Sequence, residues 1–362
     1  MRTQSSLLGK VAVALLFSLV LSFLALPVAH TNAATSSPTL TALPQLTQIQ
    51  QWLKTGSQKA PLPSALARQL GSVTQSNFQS DACREMPSAE PVARGCNFGD
   101  LSSSKVVVLY GDSFAEQLIP ALSALGTKNH FRVVAYARLG CPFANIAISN
   151  WLGTVDQGCA TFRKNVITEV KTMSPKPVLV LLSEFIQLNS PTNHLALVPV
   201  ANFVNGVTKT MQDIGSTGLV TRVILGVPQT NGLPATCLAK NLSNVSACAL
   251  STATAFKRVH DLEIKTALTK IGVKTVNMST LFCNNMCPVV AGNYFVHSDT
   301  VHMNAAYATV TATGLGTLIG CSSVGYSKAW LSANPIFSTL LPTLSSANVQ
   351  AQCQVANNAP LA

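Results

Sequence analysis

Continuous apolar runs alternate along the chain with segments in which apolar residues recur at helical spacing. Five runs have the length of strands that are buried on both faces, as in a parallel sheet. They are residues 105–110, 131–137, 177–182, 222–227 and 273–276. Helical spacing predicts helices over 47–54, 113–125, 159–173, 200–214, 251–271 and 303–319. The alternation predicts an α/β fold with a mostly parallel, five-stranded sheet flanked by helices.

The first apolar run leads directly into Gly111, Asp112 and Ser113. Glycine permits a sharp turn at the end of a strand, and the helical pattern that follows places Ser113 near a helix N-terminus. There the backbone N–H groups lack intrahelical partners and the helix dipole favours negative charge. Ser113 is therefore a candidate nucleophile, although the same position also suits a serine that only caps a helix.

Further polar or turn-forming residues follow the next two strands. Residues 138–141 come after the second strand, and Ser183 and Glu184 come after the third. The carboxyl ends of parallel strands meet at one edge of the sheet, where ligands bind in such folds. We therefore expect these segments to converge with Ser113.

A nucleophilic serine needs a base, and the base needs an orienting acid. Asp299 and His302 stand three residues apart, so the carboxylate can contact one imidazole nitrogen while the other points outward. The other histidines are less well placed. His30 lies in the predicted signal peptide, His130 precedes the second strand, and His260 is within a helix. His194 lies in a loop and stays a second candidate.

A zinc site is an alternative use of some of these residues. Cys283 and Cys287 are followed by His297 and His302, an order typical of zinc fingers. The gap of nine residues before His297 is shorter than the usual spacing, and an oxidising compartment favours a disulfide between the two cysteines. No metal and no other cofactor is therefore expected.

Charge and composition limit the partners. Charged residues make up 10% of the chain, and the formal net charge is +11. The cations are scattered, whereas nucleic-acid binding requires clustered cations and aromatic platforms, so no nucleic acid is expected. Loose attraction to anionic cell-surface polymers fits this charge.

The N-terminus has the order of a secretory signal peptide. Arg2 and Lys10 precede an apolar segment over residues 11–28, and small residues lead to an expected cleavage after Ala33. An uncleaved anchor is the alternative, because the segment is just long enough to span a bilayer. The protein is expected to be secreted or associated with the cell envelope. The predicted organisation is a signal peptide (1–33), a linker or pre-segment (34–80), a main domain (81–325) and an irregular C-terminal extension (326–362).

Ten cysteines agree with export, since an even number in an exported chain indicates disulfides. Nearness along the chain suggests five local pairs, although sequence alone does not prove the connectivity. The suggested pairs are Cys83–Cys96, Cys141–Cys159, Cys237–Cys248, Cys283–Cys287 and Cys321–Cys353.

Six short motifs follow one another along the chain: Leu62-Pro63, Cys96-Asn97-Phe98-Gly99-Asp100, Gly111-Asp112-Ser113-Phe114, Gly140-Cys141-Pro142, Val227-Pro228-Gln229 and Asp299-Thr300-Val301-His302-Met303. Their order resembles that of the SGNH (GDSL-like) hydrolases, most closely the SGNH domain of membrane acyltransferases that O-acylate cell-surface glycans. The resemblance implies a flavodoxin-like, three-layer α/β/α sandwich. It also implies Ser113 as nucleophile, His302 as general base and then acid, Asp299 as orienting carboxylate, and the backbone N–H groups of Ser113 and Gly140 as oxyanion donors.

The family's G-x-N-D block, whose asparagine is a further oxyanion donor, is absent. The third strand ends instead in Ser183, a candidate replacement, and Glu184, which a solvated loop would explain. The resemblance implies a serine esterase or O-acyltransferase that acts on small acyl esters, such as acetyl esters, of cell-envelope glycans. A transferase would need a separate membrane acyltransferase or another acyl donor. The missing asparagine leaves open a non-catalytic glycan-binding module with a degenerate SGNH fold.

Overall fold

The computed structural model describes residues 43–73, 83–85, 90–149, 156–184, 198–215, 219–256 and 261–321. The predicted signal peptide or anchor and the predicted C-terminal extension lie outside these residues. Among the helices that are described, none combines the length and the apolar character needed to cross a bilayer.

Seven strands form the central sheet of the described part of the chain, and all strands are numbered here in chain order. Five are the predicted ones: β3 (Val106–Gly111), β4 (Arg132–Arg138), β5 (Leu179–Ser183), β6 (Thr221–Leu225) and β8 (Thr275–Asn277). These five pair in parallel in the order β4-β3-β5-β6-β8. Every residue of β3 and β5 is buried, as expected of strands covered on both faces. The predicted mostly parallel sheet is confirmed.

Two short strands make the sheet larger than the predicted five. The first, β1 (Arg84–Glu85), pairs in parallel with the end of β4, and β2 (Cys96–Gly99) pairs antiparallel with its first half. Both strands are too short and too polar to show as apolar runs in the sequence. The disulfide between Cys83 and Cys96 links them along this edge.

Helices cover both faces of the sheet. One layer contains α1 (Leu46–Gly56), α3 (Ser113–Glu116), α4 (Ile119–Asn129), α10 (Ala305–Val310) and α11 (Ala312–Leu318). The other layer contains α5 (Gln157–Thr172), α6 (Val200–Gly215) and α9 (Asp261–Lys270). Along β3, Val107 and Leu109 face the first layer while Val108 and Tyr110 face the second, as strand alternation requires. The predicted three-layer sandwich is therefore confirmed.

A smaller apolar cluster lies among α2 (Ser64–Ala67), α7 (Pro234–Lys240) and the strand pair β10 (Val290–Ala291) with β11 (Tyr294–Phe295). Leu66, Leu238 and Phe295 meet in this cluster. The helix α8 (Thr252–Ala255) and a second strand pair, β7 (Leu250–Ser251) with β9 (Met286–Cys287), instead contribute residues to the apolar layer that contains α3 and α4. The helix predicted over 251–271 is present as α8 and α9, with residues 257–260 outside the described part. The helix predicted over 303–319 is interrupted at Thr311, whose hydroxyl donates to the carbonyl of Ala308 at 2.8 Å.

The segment before residue 80 contributes to the core. Leu46, Ile49 and Leu53 of α1 are each at most 1% exposed and pack against the layer that contains α3 and α4. They repeat at helical spacing, which explains why this short stretch forms an amphipathic helix. The domain boundaries drawn from the sequence remain a prediction, but α1 is structurally part of the sandwich.

Disulfides join the elements at four of the predicted positions. The bonded pairs are Cys83–Cys96, Cys141–Cys159, Cys237–Cys248 and Cys283–Cys287. The fifth predicted pair involves Cys353, which lies outside the described residues. Four local pairings predicted from the sequence are therefore confirmed.

Candidate active site

The turn after β3 presents Ser113 as the first residue of a helix. Gly111 is required there, because a Cβ on this residue would lie 1.7 Å from the carbonyl oxygen of Ser183 on β5. Oδ1 of Asp112 accepts a hydrogen bond from the backbone N–H of Phe114 at 2.8 Å and so caps α3. Asp112 thus fixes the turn, and Ser113 lies at the carboxyl edge of the sheet.

Asp299 and His302 lie in a turn that precedes α10. Oδ1 of Asp299 accepts hydrogen bonds from the backbone N–H groups of Val301 at 2.8 Å and His302 at 2.7 Å. Oδ2 of the same carboxylate lies 2.7 Å from Nδ1 of His302. One carboxylate therefore holds both the backbone and the ring of the histidine, which is the arrangement expected from their spacing.

The imidazole joins this turn to the serine. Nε2 of His302 lies 2.8 Å from Oγ of Ser113, although 189 residues separate them in sequence. An ionised carboxylate only accepts hydrogen bonds, so in the neutral imidazole Nδ1 donates to Asp299 and Nε2 accepts a hydrogen bond from the Ser113 hydroxyl. The structure therefore brings the three predicted residues together in the order acid, imidazole and hydroxyl.

The surroundings keep the carboxylate charged and the imidazole in place. Burial by itself raises the pKa of Asp299, but the hydrogen bond and charge of His302 and the backbone donors lower it to about 2. The His302 ring packs against the Phe114 ring at a centroid distance of 5.3 Å. Its side chain is still 19% exposed, so the imidazole is fixed but can be reached by a substrate.

Gln117 connects the two halves of the site and was not singled out in the sequence. It is fully buried, and its Oε1 accepts a hydrogen bond from the backbone N–H of Met303 at 2.6 Å. This contact ties the residue after His302 to the end of the helix that begins with Ser113. A glutamine inside a helical pattern carries no sequence signal for such a role.

Gly140 follows β4 at the same edge of the sheet, since β4 pairs in parallel with β3. It is exposed and has φ of +65°, a conformation that favours glycine. Within the described residues, no group accepts a hydrogen bond from its backbone N–H. The N–H of Ser113, at the first position of α3, lacks an intrahelical acceptor as well. These features suit the predicted oxyanion donors, whose role stays a prediction.

The residues at the end of β5 are buried, whereas the sequence suggested that Glu184 lies in a solvated loop. Ser183 is 1% exposed, and its carbonyl packs against Gly111. Glu184 is only 4% exposed, so its interpretation as a solvated loop residue is wrong. Its Oε2 accepts a hydrogen bond from the backbone N–H of Ala144 at 3.0 Å, and burial raises its pKa well above the usual range. The available signal was a charged residue directly after an apolar strand.

The residues of the alternative zinc site are engaged in other ways. Cys283 and Cys287 form a disulfide, and His302 contacts Ser113. His297 is buried and packs against the ring of Phe282 at 5.4 Å between centroids. Within the described ranges, no group of three or more histidine, cysteine, aspartate or glutamate side chains is arranged to hold a metal.

Three of the other histidines, His30, His194 and His260, lie outside the described residues. His130 is exposed, and its Nδ1 lies 3.0 Å from Oδ2 of Asp100, before β4 and at the edge of the sheet opposite Ser113. Of the histidines that the structure describes, His302 is the one that contacts the serine.

Comparison with known proteins adds family information to this geometry. The family model described as "SGNH domain (fused to AT3 domains)" matches residues 81–313, which is more than half of the chain. No curated protein matches the sequence significantly.

Three solved structures are similar at low identity. The periplasmic domain of a lipopolysaccharide acetyltransferase from Salmonella ser. Paratyphi A has 16% identity and a TM-score of 0.49, covering 70% of this chain and 94% of its own. A protein from Bacteroides fragilis with an acylhydrolase assignment has 12% identity and a TM-score of 0.34, covering 67% and 91%. A GDSL-like lipase from Bacteroides thetaiotaomicron has 10% identity and a TM-score of 0.33, covering 60% and 86%.

Proposed function

The chain belongs to the family of SGNH domains fused to AT3 acyltransferase domains, a family of ester-acting enzymes, and from this we propose a serine O-acyltransferase or esterase with an acyl-Ser113 intermediate. The observation that supports the proposal most directly is the continuous hydrogen-bonded connection from Asp299 through His302 to Ser113. A serine hydroxyl is a weak nucleophile until a base removes its proton, and this arrangement supplies the base and its orienting acid.

In the first half-reaction, Oγ of Ser113 attacks the acyl carbonyl carbon while its proton moves to Nε2 of His302. The carbonyl oxygen becomes an oxyanion, which the backbone N–H groups of Ser113 and Gly140 would stabilise. Collapse of this intermediate breaks the ester C–O bond, and His302 passes the proton to the leaving alcohol. Asp299 stabilises the imidazolium as an ionised carboxylate throughout, in keeping with its low pKa.

In the second half-reaction, His302 removes a proton from water or from a sugar hydroxyl, whose oxygen attacks acyl-Ser113. The second tetrahedral intermediate collapses with loss of Ser113, which regains its proton from His302. Water yields a carboxylic acid and a sugar hydroxyl yields a new ester. Esterase and transferase activity therefore use the same residues and differ only in the acceptor.

The substrates we propose are small acyl esters, such as acetyl esters, of cell-envelope glycans outside the cytoplasm. Four disulfides among the described residues support an oxidising compartment. The net charge of +11 suits an anionic polymer. The fusion of family members to AT3 acyltransferase domains supports a separate membrane acyltransferase as the acyl donor of a transferase reaction.

Hydrolysis of 4-nitrophenyl acetate by the oxidised protein tests the mechanism. We expect Ser113→Ala and His302→Ala each to lower kcat by about 10³-fold or more. A fluorophosphonate probe should label the wild type at Ser113 and leave Ser113→Ala unlabelled. Ser64→Ala is a matched control, because Ser64 is an exposed serine that also begins a short helix. Activity that survives in Ser113→Ala would refute the mechanism.

The same acetyl ester assay distinguishes a transferase, an esterase and a non-catalytic module. Addition of an acceptor glycan to the acetyl ester should produce acetylated glycan with a transferase and only acetate with an esterase. A folded protein that is neither labelled nor active would instead favour the non-catalytic glycan-binding module.

A further inference from the structure

The loop after β4, residues 139–146, carries the predicted oxyanion donor Gly140 and is held at successive positions. Gly140 itself has no side chain, and a Cβ built on it would have no atom within 4 Å. The orientation of its N–H therefore depends on the anchors of its neighbours. Two anchors come from α5: Cys141 is bonded to Cys159, and Nη1 of Arg163 donates to the carbonyl of Pro142 at 3.4 Å. Another comes from α6, where Oγ1 of Thr210 donates to the carbonyl of Phe143 at 2.8 Å.

Two anchors come from the sheet. At the near end of the loop the backbone N–H of Leu139 donates to the carbonyl of Glu85 on β1 at 3.0 Å, and Glu184 provides the anchor at the far end. It follows β5 directly, and β5 is the neighbour of the strand that leads to Ser113. Its Oε2 accepts the hydrogen bond from the backbone N–H of Ala144, four residues after Gly140. This buried bond fixes the far side of the loop to the same sheet edge that presents the serine.

Burying a carboxyl group costs folding free energy, so the buried position of Glu184 requires an explanation. Burial raises the pKa of Glu184, the nearby charge of Asp112 raises it further, and Arg163 acts in the opposite direction. Within the described residues, Oε1 of Glu184 and the hydroxyl of Tyr110 are buried without a hydrogen-bond partner. The proposed chemistry of Ser113, His302 and Asp299 uses none of these groups.

We propose that Glu184 is a positioning residue that fixes the loop from Gly140 to Ala144, so that the Gly140 N–H keeps its orientation at the sheet edge that carries Ser113. The effect of Glu184 on catalysis that follows from this inference rests on the proposed function. The resemblance described above implies an asparagine donor after the third predicted strand. In this chain that strand is β5, and Glu184, which follows it, supports the donor that follows β4 on the other side of β3.

Two substitutions separate this role from a general contribution to stability. Glu184→Ala removes the acceptor, and we expect kcat for 4-nitrophenyl acetate to fall ~10- to 100-fold while KM changes less than ~3-fold, because a small misplacement acts on the transition state. Glu184→Gln keeps a carbonyl acceptor without the charge and should stay within ~3-fold of wild type. Leu268→Ala is the control. Leu268 is buried in the helical layer that contains α5 and α6, but it lies on α9 and does not contact the loop through any of the anchors named above. This substitution should lower Tm and leave kcat unchanged.

Amide hydrogen exchange gives a second readout that does not depend on activity. Peptides covering residues 139–146 should exchange faster in Glu184→Ala than in wild type or Leu268→Ala. Unchanged exchange in this loop, or a kcat for Glu184→Ala equal to that of wild type, would overturn the inference. A folded wild type that is inert towards the ester would refute the proposed function, whereas the exchange measurement would still decide whether Glu184 holds the loop.

Discussion

Acidification should destabilise this protein through one buried histidine next to the site. His297 is 1% exposed, and it lies two residues before Asp299 in the segment that carries His302. Burial lowers the pKa of His297 to about 4 from an ordinary value of 6.5, although the charge of Asp299 and the backbone of Pro228 partly oppose this. The folded state therefore keeps the ring neutral at a pH where the unfolded chain binds a proton.

The sign and size of the effect follow from this difference. At His297 the unfolded state binds more protons than the folded state between pH 6.5 and 4, so the contribution of this residue to the free energy of unfolding falls as the pH is lowered. The full difference corresponds to about 3 kcal/mol. About 2 kcal/mol of it should be lost between pH 7 and pH 5. Asp299 contributes little in this window, because its lowered pKa affects stability only as the pH falls below its ordinary value of 3.8. The raised pKa of Glu184 acts in the opposite direction, so a variant of His297 is needed to isolate the histidine.

Urea unfolding of the oxidised protein at pH 7 and pH 5, followed by far-ultraviolet circular dichroism, measures this loss. The variant His297→Leu cannot bind the proton, so it should lose about 2 kcal/mol less than wild type over the same interval. Leu268→Ala is the control, because it removes buried apolar atoms without changing a titratable group, so it should lose as much stability between pH 7 and pH 5 as wild type. Equal losses in wild type and His297→Leu would refute the reasoning.

Two further changes test the acid and the turn of the site. Asp299→Asn keeps the shape of the side chain but loses its charge, so kcat for an acetyl ester should fall by about 10⁴-fold with little change in Tm. A variant that retains a tenth of the wild-type kcat would contradict this role. Gly111→Ala places a Cβ 1.7 Å from a backbone oxygen and should cost about 3 kcal/mol or more of stability in urea unfolding. Gly71→Ala, where a Cβ meets no atom within 4 Å, should stay within about 1 kcal/mol of wild type, and equal stabilities of the two variants would show the clash to be absent.

The features that can be predicted from the order of the residues alone are local. Apolar runs predict β3, β4, β5, β6 and β8, because a strand buried on both faces must be apolar along its whole length. The turn at Asp112 and Ser113 depends on residues within a few positions of each other, as its capping bond shows. The spacing of Asp299 and His302 is equally local, since one carboxylate reaches both the ring and the backbone three residues away.

Long-range packing sets which of these local features meet. The approach of His302 to Ser113 across 189 residues depends on the packing of α10 and α4 on the sheet, and Gln117 supports it by a contact with no sequence signature. The burial of Glu184 depends likewise on the loop from β4 that folds over it, so a residue that suits a solvated loop in the sequence lies in the interior. Hydrophobic patterns specify which residues leave water, whereas the partner of a buried polar group is set by chain segments that are distant in sequence.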